Sequence, residues 1–364
     1  MSIWFQNKRT SILFLTPDVD PTVAQKFSFP ARASTLPFPH VQNKIVAEYL
    51  HQQGADVQFL PWTCFKANVP TKILSSFDYI LFFSCDKYEC HIDDFYDFLR
   101  DVLIPLHRNY RDIRIINNPE VIHWNMDKLY LKDLEKAGFP VLRTTFLSSS
   151  SVTVPLLSAA IRSFAGAKNL PVILKPSISA SGVNVHLVRD PGQMTTEDIS
   201  YMEFIASHLS SKCSLMIQDF ESSICTTGEY SLVFIGGIFS HATLKTPVAN
   251  GREYRINTMY HGRLDDVTDD QVPDLAVSLG YEIWAWLCEK FGSKAIGYMR
   301  LDGMVQNTGK FIIGEIELIE PDMWLDRHVG GTFLQDTVQR LFQQESRCEI
   351  LGSKNGTKLL EWGR

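Results

Sequence analysis

The first third of the chain alternates two hydrophobic rhythms. Short apolar runs, "SILFLT" at 11–16, "DVQFLP" at 56–61, "FDYILFFS" at 77–84 and "IRIINN" at 113–118, read as strands. Between them, "HVQNKIVAEYLHQQGA" at 40–55 and "DDFYDFLRDVLIPLHRNY" at 93–110 carry apolar residues at helical spacing. This alternation predicts a parallel sheet flanked by helices. A further helix is expected within "NNPEVIHWNMDKLYLKDLEKAGFPV", with Asp127 as its N-cap and Gly138 as its stop. The serine run Ser148 to Ser151 reads as a surface connection, too short for an interdomain linker.

From about residue 170 the rhythm changes to strands and hairpins: "VILKPS", "VNVHLV", "LMIQDF", "EYSLVFIGGIFSHATL", "IGYMRLDGMV" and "FIIGEIELI". Helices "LAVSLGYEIWAWLCEKF", with Trp284 and Trp286 as core residues, and "FLQDTVQRLFQQE" are interspersed. The chain thus reads as an α/β unit followed by α+β units with antiparallel sheets. No internal repeat is present.

Composition narrows the classes. With 364 residues, 45% hydrophobic and 21% charged, the chain can bury a large core in two or three units. A net charge of −6 offers no basic excess for a phosphate backbone, so nucleic acid is not the expected partner. Seven cysteines, an odd number without a C-x-x-C pair, fit reduced thiols and a cytoplasmic location. The opening segment lacks a signal-like apolar run, and no stretch approaches the roughly 20 apolar residues of a membrane span. The sequon at Asn355 is then coincidental. Neither G-x-G-x-x-G nor G-x-x-x-x-G-K-[ST] occurs, so the fold class alone names no ligand.

The chemistry concentrates near the C-terminus. "GYMRLDGMVQNTGKFIIGEIEL" holds two apolar strands around "NTG", a hairpin signal. A two-residue turn at Thr308 and Gly309 would set Asp302 opposite Glu315 and Arg300 opposite Glu317, with both glutamates on one face. Carboxylates about 7 Å apart repel by roughly 2 kcal/mol at an effective dielectric near 20, against about 0.6 kcal/mol in water. On a solvated face such a strand is tolerable; on a buried face it needs cations, and hard oxygen ligands beside an arginine suit Mg²⁺ carrying nucleotide phosphates.

Two other stretches bear on that choice. Lys175 ends an apolar strand before a small-residue loop with Ser177, Ser179, Ser181 and Gly182, which could lay N–H groups against phosphates or form an ordinary turn beside a snorkelling lysine. The apolar strand ending at Gln218, Asp219 and Phe220 could supply a backbone edge for adenine. Glu229 could then accept from ribose hydroxyls, with Glu221 as its competitor; either could equally be a solvated loop carboxylate.

The order of these motifs resembles the ATP-grasp superfamily. A lysine follows N-x-D (Lys128), a strand lysine precedes a small-residue loop, and a strand ends in Q-x-F. G-E-x-x-x-V, R-x-D and E-x-E complete the set, with thirteen residues from Asp302 to Glu315. The likeness spans nearly the whole chain and is nearest to the branch with the cycloserine-forming cyclo-ligase and bacterial-type glutathione synthetases. It implies an N-terminal parallel unit over 1–125, a central lid subdomain over 126–216 and a C-terminal antiparallel-sheet subdomain over 217–364.

By the same resemblance, Lys128, Lys175, Ser181, Gly182, Gln218, Asp219, Phe220 and Glu229 would hold ATP. Lys245 and Arg255 would reach the γ-phosphate from a mobile segment, and Arg300 would steady the transferring phosphoryl group. Asp302, Glu315 and Glu317 would ligate two Mg²⁺ ions, with Mn²⁺ an acceptable substitute. Glu317 stands where many family members carry asparagine. The implied activity is ATP-dependent coupling of a small-molecule carboxylate, through an acylphosphate, to an amine-type nucleophile, within one molecule or between two. The alternatives are a small-molecule phosphotransferase and a non-catalytic nucleotide-binding protein. His328 stands as a substrate contact or a capping residue, the partners as amino-acid-like molecules, and the apolar helices leave room for a homodimer.

Overall fold

The computed structural model describes residues 10–16, 41–65, 72–83, 85, 87–248, 253–328 and 331–343. Asn355, whose sequon was noted above, lies outside the described residues.

Strand β1 (Ser11–Thr16) is apolar on both faces because both are covered. Ile12 and Phe14 pack with Val46 and Leu50 of the helix Val41–Gln52, whereas Leu13 and Leu15 join Phe95 and Leu99 on the opposite side. With β2 (Asp56–Pro61), β3 (Tyr79–Leu81) and β4 (Arg114–Ile116), β1 forms an all-parallel sheet in the order β2-β1-β3-β4. Asp127 accepts from the Leu129 N–H at the start of the next helix, Tyr130–Lys136, and Gly138 follows its end at φ +89°.

The central sheet is antiparallel, in the order β5-β8-β6-β7, from β5 (Thr144–Ser148), β6 (Val172–Pro176), β7 (His186–Val188) and β8 (Ser214–Asp219). Helices Val154–Ala165 and Thr196–His208 close its core, the second started by a capping box between Thr195 and Asp198. The serine run is the exposed corner between β5 and the first of these helices.

The third sheet, β11-β10-β9-β12-β13, is also antiparallel. It consists of β9 (Glu229–Ile235), β10 (Ile238–Thr246), β11 (Arg263–Val267), β12 (Tyr298–Val305) and β13 (Phe311–Glu317). The helix Asp274–Phe291 covers one face, with Trp284 and Trp286 packed in that core as expected. Gly280 permits this contact, since a Cβ there would sit 2.1 Å from the Phe234 ring. On the other face, Val233, Ile235 and Tyr298 pack into the core of the parallel sheet. Further along the same strands that face carries Glu229, Ser231, Arg300 and Asp302. One sheet face therefore changes from core to cleft within two strands.

Three sequence expectations are corrected. The central unit was expected to end at residue 216, but that residue lies inside β8, which pairs with β5 and β6 as far as Asp219. The β12–β13 turn has three residues, closed by hydrogen bonds from the Gln306 N–H to the Lys310 carbonyl and from the Gly309 N–H to the Gln306 carbonyl, with Gly309 at φ +78°. That shifts the register by one, and an extra residue at Gly314 shifts it back, so Asp302 still faces Glu315 and Arg300 faces Glu317. Finally, Lys245 belongs to β10 and not to a mobile segment, because the alternation of "HATLKT" carries the strand to Thr246.

Candidate functional site

A cleft of about 1240 Å³ opens between the central and C-terminal sheets. Its lining includes every residue proposed from sequence for nucleotide, phosphoryl and metal contacts, together with Glu221. His328 is elsewhere, its ring 4.4 Å from that of His241 and 5.4 Å from Phe333.

The acidic hairpin face is not bathed in solvent. Asp302 is 3% exposed, and Arg300, Lys245 and Lys128 are each 6% exposed. Burial on this scale requires partners. Arg300 donates from Nε and Nη2 to Asp302, at 2.9 and 2.8 Å, and from Nη2 to Glu317, while its Nη1 donates to the Asp322 carbonyl. Trp324 lies against the guanidinium, 5.2 Å from centroid to Cζ. Lys245 Nζ bridges Glu229 at 2.6 Å and Asp302 at 3.1 Å, and the Ser231 hydroxyl donates to Asp302. Lys128 Nζ meets Glu315 at 3.0 Å and the Ser179 carbonyl at 2.6 Å.

These contacts divide the carboxylates. Burial works against ionised Asp302, but Arg300 and Lys245 outweigh it and hold its pKa well below the ordinary range. Burial, with Asp302 and Glu315 adding to it, pushes Glu317 up to about 7 against the pull of Arg300. Glu229 is also raised, by burial first and then by Asp302. The patch carries more acid than its own cations neutralise comfortably. Among the described residues no three histidine, cysteine or acidic side chains converge closely enough to cage a metal by themselves.

Lys175 is the exception among the lysines. Burial lowers its pKa, Lys128 adds to that, and Glu315 and Glu229 only partly offset it. No ion pair or hydrogen bond engages its ammonium among the described residues, so a cation stands in the cleft without an anion.

Two further segments form the cover. Ser181 and Gly182 turn the small-residue loop at φ +55° and +70°, and a Cβ at Gly182 would press on Asn257 Oδ1 at 3.0 Å. Tyr260 donates to the Gly182 carbonyl and Tyr254 to the Val185 carbonyl, tying that loop to the segment bearing Arg255. Arg255 pairs with Glu253 and stacks on Tyr260 at 3.7 Å.

At the other end of the central sheet the lining is apolar: Leu142, Ile173, Phe220, Ile224 and Met304. Register places Ile173 and Thr144 on either side of Gln218, and Lys175 one strand repeat from Ile173. The Asp219 carboxylate is taken by Arg143, at 2.6 Å from Nη2, and the Asp219 N–H donates to the Arg143 carbonyl at 3.0 Å. Glu221 accepts from the Ser223 N–H and from Gln306, so it is as fully engaged as Glu229. Sequence reasoning missed Tyr88, which follows Lys87 at φ +63° and brings the N-terminal unit to the cleft. It also missed the apolar wall, although the alternation of Ile173 with Lys175 was a signal for it.

No protein-family model matches the chain. The cycloserine biosynthesis protein DcsG of Streptomyces lavendulae is 25% identical over 233 residues, covering 63% of this chain and 74% of that protein. The crystal structure of D-cycloserine synthetase DcsG is similar at a TM-score of 0.64 and 21% identity, over 91% of this chain and 99% of that one. D-alanine–D-alanine ligase from Bacillus anthracis, complexed with ATP, gives 0.58 and 15%, over 92% and 99%. The ATP-grasp ligase PsnB, complexed with precursor peptide PsnA2 and AMPPNP, gives 0.54 and 13%, over 92% and 98%. Three sheets in this order around one charged cleft, with these likenesses, show that the chain has the ATP-grasp fold.

Proposed function

We propose that the protein activates a small-molecule carboxylate with ATP and couples it to an amine-type nucleophile. The observation that carries this reading is the buried Arg300–Asp302 pair, with Glu317, lining one cleft with Lys175, whose ammonium has no ion pair among the described residues. The apolar end suits a base, and the lysines suit phosphates.

In this reading Lys128 and Lys175 bind nucleotide phosphates, Ser181 and Gly182 cover them, and Gln218 with the backbone at Asp219 and Phe220 holds adenine. Glu229 or Glu221 takes the ribose. Lys245 and Arg255 approach the γ-phosphate, and Arg300 steadies the phosphoryl group in transfer. The acid oxygen attacks that phosphorus and ADP leaves; the nitrogen nucleophile then attacks the acylphosphate carbon and phosphate leaves. No side-chain nucleophile is needed, since positioning and fixed charge do the work.

Asp302, Glu315 and Glu317 fit Mg²⁺ chemically, because this ion is held by one or two carboxylates plus phosphates and waters and not by an all-protein cage. Bound there, it would neutralise phosphate charge. Lys128 and Lys245, now committed to Glu315, Glu229 and Asp302, would then be free to turn to phosphates. An intramolecular form, with acid and amine in one molecule, is favoured by the likeness to D-cycloserine synthetase.

The test is phosphate release from MgATP against pooled amino acids and analogues, with hydroxylamine as a trap and mass spectrometry of products. A hydroxamate or amide product is expected. ADP formation that ignores the nitrogen nucleophile and yields a stable phosphorylated product would replace this reading with a phosphotransferase.

A further inference from the structure

We infer that Thr144, on β5 and outside every motif named above, decides which purine the cleft accepts. It does so by fixing the orientation of the Gln218 amide, so that an acceptor oxygen meets the base and a 6-amino purine is preferred to a 6-oxo purine. The inference rests on the nucleotide-binding reading just given.

The argument is one of hydrogen-bond polarity. A threonine hydroxyl has a single proton. That of Thr144 is donated to the Leu142 carbonyl at 2.8 Å. The oxygen can therefore only accept from its other neighbour, and Gln218 Nε2 donates to it at 2.9 Å. Rotating the amide by half a turn would set its oxygen against the Thr144 oxygen. The only relief would be for the hydroxyl to abandon Leu142, whose carbonyl lies on a residue 7% exposed. The chain Gln218 to Thr144 to Leu142 thus runs in one direction.

Gln218 itself is 3% exposed and lines the cleft. Its Oε1 has no partner among the described residues, yet it is not sealed off from open space, so it presents an unmet acceptor to the cleft. Its strand neighbours place that acceptor at the base end: Ile173 is directly opposite on β6, and Phe220 follows two residues on. The ammonium of Lys175 starts one strand repeat away, roughly 7 Å along β6. An adenine amino group donates to such an oxygen, whereas the O6 of guanine would be a second acceptor facing it. A buried acceptor left unmet costs more than a hydrogen bond gains, so the discrimination arises mainly from rejection.

Thr144 touches the amide and not the base, which makes it a positioning residue. The test is titration calorimetry with Mg-AMPPNP and Mg-GMPPNP on wild type, Thr144→Val and Thr144→Ser. Valine keeps the shape but neither donates nor accepts, so the amide is released to present either end. Wild type should prefer AMPPNP; in Thr144→Val that preference should shrink by roughly tenfold or more, the scale of one unmet buried acceptor. Thr144→Ser, which keeps the hydroxyl, should restore it. A merely structural role would weaken both nucleotides alike and leave their ratio unchanged, and that result overturns the inference. Equal binding of the two nucleotides by wild type overturns it as well, while leaving the ligase reading intact; binding of neither removes both. Were the valine variant to lose its fold, judged by circular dichroism, the same ratio measured on Thr144→Ala decides.

Discussion

Replacing Lys175 by methionine should make the ligand-free protein more stable and its nucleotide complex weaker. The side chains are similar in length, and the lysine stem already lies along the apolar strand Val172–Pro176. What the substitution removes is an ammonium that burial disfavours and that Glu315 and Glu229 offset only in part. Relief of such a charge should stabilise the chain by about 0.5–2 kcal/mol, the increment common for single stabilising substitutions. Binding moves the other way, because a charge-assisted contact to a phosphate contributes about 1.5–3 kcal/mol, or roughly 10- to 150-fold in Kd.

The pH dependence fixes the sign. The folded pKa of Lys175 lies below its ordinary value of 10.5, so the unfolded chain binds more protons and wild type gains stability as pH rises. The advantage of the methionine variant is therefore full below the folded pKa, shrinks as pH rises from there, and is gone above 10.5, where the amine is neutral in both states. Urea unfolding at several pH values and calorimetry with Mg-AMPPNP test both halves. A variant that is less stable at neutral pH, or one that binds the nucleotide as wild type does, refutes the reasoning.

Three other outcomes are expected. Glu315→Gln takes the carboxylate from buried Lys128, so it should lower stability in urea unfolding, and it should also remove most of the Mg²⁺ dependence of AMPPNP affinity, read by calorimetry with and without the ion. Lys245→Met strands Glu229 and Asp302 without their shared cation and should cost about 3–5 kcal/mol in urea unfolding; adding Glu229→Gln should recover part of the loss, and strict additivity would contradict the shared pairing. Gly303→Ala puts a Cβ 2.6 Å from the Ile312 carbonyl oxygen beside the bulge, and should lower stability by about 1–3 kcal/mol in the same assay.

The sequence was most legible where periodicity and burial agree. "SILFLT" and "LAVSLGYEIWAWLCEKF" became the strand and helix their patterns predict, because the first is buried along its length and the second along one face. The hairpin was read correctly for an incomplete reason: a turn one residue longer than supposed is compensated by the bulge at Gly314, and no local pattern announces that pair of adjustments. Strand β5, "TTFLS", escaped notice because only five residues and two adjacent threonines mark it, and its register depends on β8, some seventy residues away. Thr144 was invisible with it. The charged residues of the cleft could be gathered from the order of motifs and the resemblance it carries, but not their pairing. Lys128 with Glu315 and Lys245 with Glu229 are tertiary choices, made when two sheets meet.

The outer border of β13 also shapes how the molecule can associate. Ile313 exchanges backbone bonds with Pro140 and Leu142, Tyr130 engages Ile316 through both its N–H and carbonyl, and Asn125 claims the Ile316 carbonyl and the Leu318 N–H. The opposite border, β11, reads "RLDDV" and shows charge to water. Neither margin invites a foreign strand. Copies of this chain that met along this sheet would have to do so through side-chain surfaces, so lengthening this sheet is a route to fibres that its margins close.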